Sequence, residues 1–169
     1  KSLGIEKIIS QINGQSIQDL NETAYNVMNT LYQERFQPSN VTYSELVSSG
    51  NMNLISNDSI KTYLFELSLL YQRNSFGIEH ETAEYEEFIS KPIYHLIDIE
   101  KLKPVFLGMK TAEQKNISKQ DFDALFRSME YKNGCIVLNW STEEMIQIYE
   151  EIKVKSERII DMIDIDLNK

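Results

Sequence analysis

Several residue types are scarce in this chain, and each shortage removes a class of structure or chemistry. One cysteine, Cys135, in 169 residues excludes any disulfide within the chain. A single cysteine fits a reducing compartment without requiring one. Cys135 lies in Cys-Ile-Val-Leu, an apolar setting that raises a thiol pKa, so it reads as an inert core residue. Only 3 prolines and 6 glycines are present, which leaves long stretches with nothing to break a helix. The two histidines, His80 and His95, leave few general bases, and no serine sits in Gly-x-Ser-x-Gly. Neither Gly-x-Gly-x-x-Gly nor a Walker-type loop occurs. Basic residues are in deficit, 17 Lys and Arg against 26 Asp and Glu, for a formal charge of −9. That balance excludes nucleic acid as a partner and attraction to an anionic membrane surface. No apolar run reaches the roughly 18 residues that a membrane span needs, and no signal peptide is visible. Residue 1 is Lys, so the chain is expected to be a trimmed piece, with any membrane anchor upstream.

What is present is enough for a packed core. Hydrophobic residues make up 41% and charged residues 25%, a globular balance rather than a disordered one. The length suits one domain, residues 1–169, and 9 tyrosines and 7 phenylalanines supply large contacts.

Helix starts are written four times in hydroxyl and carboxylate residues. Thr42 with Glu45 and Ser141 with Glu144 are full capping boxes, in which each side chain accepts from an orphaned backbone N–H. Ser118 with Asp121 is a weaker box, and Ser56 is a cap followed by Asp58 in the first turn, where the helix dipole favours negative charge. Val41 and Leu46, Ile55 and Ile60, Ile117 and Phe122, and Trp140 and Met145 sit at staple positions. Gly50 is placed to end the first of these helices in a left-handed conformation.

Apolar spacing of three and four predicts helices over 3–35, 43–49, 57–90, 93–102, 119–131 and 142–167. Gly14, with polar neighbours, is placed to kink or interrupt the first, Asn74 interrupts the stripe of the third, and Gly77 locally weakens that helix. Pro92 forces a kink or restart. Pro104 and Gly108 bracket a less regular stretch. Asn133-Gly134 reads as a turn. Cys135 to Leu138 is too short to separate a strand from a buried loop. The pattern predicts an all-α fold: an elongated antiparallel bundle of three to four long helices with short connecting helices.

One dense ionisable run stands out, Glu79-His80-Glu81-Thr82-Ala83-Glu84-Tyr85-Glu86-Glu87. A zinc-protease helix needs a second histidine where Glu84 stands, so the run reads as a solvated acidic face. Neither His80 nor His95 follows a glutamate three places back, which excludes a di-iron bundle site. Tyr25, Tyr32, Tyr63, Tyr71, Tyr85 and Tyr149 all fall on predicted helices. With arginine they suit a small-ligand pocket or an interaction surface, although padding of the core edge is the plainer reading. No catalytic, cofactor-binding or metal-binding residue is assigned.

The segment from Thr42 to Asn57, TYSELVSSGNMNLISN, resembles a motif, T-[FY]-x-E-L-x-x-S-G-x-x-x-L-I-x-[ND], of a bacterial family grouped as a domain of unknown function. Members are single-span inner-membrane proteins. The resemblance implies a membrane-anchored protein whose soluble part lies on the periplasmic side, although the N-terminal membrane helix of the family is missing from this chain. The family carries no established catalytic residues. The expectation is therefore a non-enzymatic extracytoplasmic domain that binds a protein partner or small ligand in sensing or scaffolding. The alternatives are an intracellular helical adaptor and a metal-dependent enzyme around His80.

Overall fold

The structure, a computed structural model, describes residues 2–32, 35–108 and 117–168, without the side chains at positions 80, 105 and 106. Among them every regular element is helical and no strand occurs. The chain divides into two compact units, each assembled from separate stretches of sequence.

The first unit takes residues 1–34 and 80–143. The single helix expected over 3–35 is two helices here, α1 (Ser2–Ile12) and α2 (Leu20–Thr30). The break falls at Gly14, where an interruption was expected and where φ is 105°, and the second helix has a start signal of its own. The Asp19 carboxylate accepts from the N–H groups of Asn21 at 2.8 Å and Glu22 at 3.1 Å, which starts a new helix. Further along, α5 (Lys91–Leu96) and α6 (Ile99–Phe106) replace the single helix expected over 93–102. Asp98 separates them, its carboxylate accepting from Glu100 N–H at 3.0 Å. Pro104 lies inside α6, which runs on to Phe106, so the less regular stretch expected between Pro104 and Gly108 is helical for most of its length and ends in a turn at Gly108. α7 (Gln120–Arg127) starts beside the weaker box as expected, with Asp121 accepting from both the N–H and the hydroxyl of Ser118 at 2.8 Å. It ends sooner than expected, at an extended Ser128. Packed inside this unit are Ile5, Ile8, Ala24, Val27, Ile89, Ile93, Leu102, Phe122, Leu125, Tyr131, Cys135 and Leu138.

The second unit takes residues 35–79 and 144–169. α3 (Val41–Ser48) includes Thr42, so the Thr42–Glu45 capping box does not form. Asn40 stands at the cap without a side-chain bond. The stop at Gly50 is as expected, with φ of 72°. A short 3₁₀ turn (Asn51–Leu54) follows. The cap of the next helix is Asn57 rather than Ser56: its side-chain oxygen accepts from Ser59 N–H at 3.0 Å and Ile60 N–H at 3.4 Å.

Two long helices each contribute residues to both units. α4 (Asp58–Tyr85) runs into a π turn (Glu86–Ser90) and on into α5. Pro92 explains the wide turn: it has no N–H to give the Phe88 carbonyl, and one extra residue per turn takes up the mismatch. α8 (Met129–Leu167) corrects three expectations together. Asn133-Gly134 is not a turn, Cys135 to Leu138 is neither strand nor loop, and Ser141 does not cap a helix. All lie within one continuous helix. Its actual start is marked by Ser128, whose hydroxyl accepts from Tyr131 N–H at 3.2 Å. Inside the helix the Ser141 hydroxyl donates to Oε1 of the buried Glu81 at 2.9 Å.

Candidate functional site

The second unit owes its shape to an antiparallel pairing of α4 with α8. Arg73 meets Glu144 at 2.9 Å, Glu66 pairs with Lys155, and the Asn57 amide donates to Asp166 at 2.8 Å. Numbers fall along one helix as they rise along the other. Between them Leu67, Ile148, Ile152 and Ile159 form a narrow core, edged by Tyr63, Leu64, Leu70, Tyr71, Tyr149 and Met162. Asn74 is fully buried, and its amide donates to the Phe36 carbonyl at 2.9 Å. Phe36 N–H in turn donates to the Tyr149 hydroxyl at 3.2 Å, and the two rings meet edge-on at 5.7 Å. The residue that interrupts the stripe of α4 thus ties down the chain leading into α3.

Two helices alone cannot cover each other fully, and an open groove of about 970 Å³ runs along one side of the pair. α4 lines it with Tyr63, Glu66, Leu69, Leu70 and Arg73. α8 lines it with Gln147, Glu150, Glu151, Val154, Lys155 and Arg158. The floor is apolar: Val154 is 64% exposed and Leu69 45% exposed. The rim carries both signs of charge. Lys155 is engaged, paired with Glu66 and lying 4.7 Å from the centroid of the Tyr63 ring. Arg73 is held by Glu144. Glu150 and Arg158 make no ion pair among the described residues. Each wall spans roughly three helical turns, about 15 Å, the length a short docked helix occupies.

The other candidates read from the sequence are scattered. Of the six tyrosines, only Tyr63 lines the groove. Tyr71 and Tyr149 edge the core of the same unit. Tyr85 donates to the Leu31 carbonyl at 2.7 Å, and burial, with Tyr94 nearby, pushes its hydroxyl up to about 12. Tyr25 and Tyr32 are exposed. Cys135 is buried, and burial pushes its thiol up to about 12, the inert state expected. Beside it the fully buried Tyr131 hydroxyl is raised well above its ordinary value, first by burial.

The acidic run is not a uniformly solvated face, since Glu81 is buried while Glu79, Glu86 and Glu87 are exposed. The His80 side chain lies outside the described residues. Among those described, no group of three or more His, Cys, Asp or Glu side chains is placed to hold a metal ion. His95 is exposed beside Glu87, Lys91 and Glu130 at a recess of about 110 Å³. No described helix is long and apolar enough to cross a membrane.

The sequence reading missed Leu69 and Val154, which stand off the apolar stripes of their helices. An apolar residue out of register with its own stripe was the available signal. Compared with protein-family models, curated proteins and solved structures, the chain matches none.

Proposed function

We propose that this chain is a non-enzymatic helical binding domain whose protein partner seats a helix in the groove between α4 and α8. The observation that carries the reading is the apolar floor of Leu69, Leu70 and Val154 inside a rim of both charges. An apolar stripe flanked by charge is how a groove receives an amphipathic helix. The reading also gives a place to the bundle of three to four long helices that the periodicity predicts. α4 and α8 supply two, and a docked helix completes the layer. The resemblance at Thr42 to Asn57 extends the proposal to location: a membrane-anchored bacterial protein with this domain on the periplasmic side, in sensing or scaffolding.

Photo-crosslinking in cells tests the binding. A photoreactive residue in place of Leu69 is expected to give one discrete protein adduct, which Val154→Asp abolishes. The same residue in place of Gln72 gives none. Equal labelling at both positions, or none at either, rejects the groove. Location is tested separately by the sequence upstream of Lys1, where an apolar run of about 20 residues is expected.

A further inference from the structure

We infer that the occupant of the groove is a second copy of this chain, related by a two-fold axis that passes beside Val154 of α8. This rests on the groove being a protein-docking surface, as proposed above, and adds what docks there. A two-fold contact pairs a surface with itself, so the surface must be complementary to itself when reversed.

The groove face of α8 meets that condition. Glu150 lies four residues before Val154 and Arg158 lies four residues after it, each about 6 Å along the helix axis. Antiparallel pairing about Val154 therefore brings each Arg158 level with Glu150 of the other copy, with Glu151 one residue away. The contact is made twice, once on each side of the axis. Neither Glu150 nor Arg158 makes an ion pair within the described residues of its own chain, so both are free to form these pairs. The other cations of the rim are not, since Arg73 holds Glu144 and Lys155 holds Glu66. Between the charges, Val154 and Leu69 supply the exposed apolar centre that the axis covers. The charge of −9 on each copy opposes association at long range. Salt screens that repulsion more than the close pairs, so association is favoured at moderate rather than very low ionic strength.

Sedimentation velocity over about a hundredfold range of concentration tests the inference. The wild-type chain is expected to pass from monomer to dimer. Arg158→Glu is expected to weaken the dimer by about tenfold or more, because it sets like charges together twice. Combining it with Glu150→Arg and Glu151→Arg restores the pairing in reverse and recovers most of the loss. Val154→Asp abolishes the dimer. All of these positions line the groove rather than the core, and melting curves in parallel check that each variant folds. A wild-type chain that stays monomeric overturns the inference, as does a dimer indifferent to Arg158→Glu. The Leu69 adduct then separates the two proposals. An adduct of twice the chain mass supports self-pairing, one of another mass overturns it while leaving the binding domain intact, and no adduct removes both.

Discussion

A Cβ built on Gly134 of α8 would lie 2.4 Å from the carbonyl oxygen of Phe88 in the π turn. That is the carbonyl that Pro92 leaves without its usual helical donor. The missing N–H and the missing Cβ therefore meet at one contact, where α8 presses its backbone against the wide turn. Gly134→Ala is expected to destabilise the protein by about 1–3 kcal/mol despite the better helix propensity of alanine. Thermal unfolding checks this, and a variant as stable as wild type would mean that the contact opens without cost.

Gly77 provides the opposite sign. It is helical, and a Cβ there would meet only Met145 Sδ, at an ordinary 3.8 Å. Gly77→Ala is expected to stabilise by about 0.5–1 kcal/mol through reduced freedom of the unfolded chain. Measured with Gly134→Ala, it separates helix propensity from helix contact.

Gly50 has φ of 72° and open space around its missing side chain. Gly50→Val is expected to cost about 1–2 kcal/mol from backbone strain alone, whereas Gly50→Asn costs less because asparagine tolerates the left-handed region. Equal melting temperatures for the two variants would contradict that conformation.

Ser141→Ala is expected to cost about 1.5–3 kcal/mol, since it strips a hydrogen bond from the buried Glu81. Ser141→Asp distinguishes this from helix capping. At an N-cap aspartate replaces serine well, whereas here it sets a second carboxyl against Glu81. It should therefore be the worse of the two variants in a denaturant titration.

The Asp121 carboxyl is held below its ordinary value of 3.8, first by the Lys101 hydrogen bond and then by Ser118 N–H. A lowered pKa means stability that is fully present above about pH 4–5 and lost as pH falls through the lowered value. Asp121→Asn is expected to lower the neutral-pH denaturant midpoint and to flatten its decline in acid. An unchanged acid limb would show that the pair contributes nothing.

Much of the local structure was legible in the chain. Ile60 and Leu67 on one helix, and Met145, Ile152 and Ile159 on another, are buried as their spacing requires. Gly50 stops a helix where expected. Capping residues proved harder to read, because a serine or threonine near a glutamate is as compatible with a helix interior as with its start. Ser141 and Thr42 are interior, while Asp19, Asn57 and Ser128 do the capping. Asn133-Gly134 has the composition of a turn, yet it lies inside α8, where the glycine leaves room for the Phe88 backbone.

The groove was less legible still. Leu69 and Val154 lie far apart in sequence, and nothing in either helix alone says that they share a floor. Composition determined that this chain is acidic, and periodicity that it is helical, because helix formation depends on neighbours three and four residues apart. Which stripes face each other, and so which apolar residues stay uncovered, was decided only by tertiary packing. That choice depends on contacts between residues far apart in sequence, such as Glu66 with Lys155, 89 positions on, whose register no local pattern encodes.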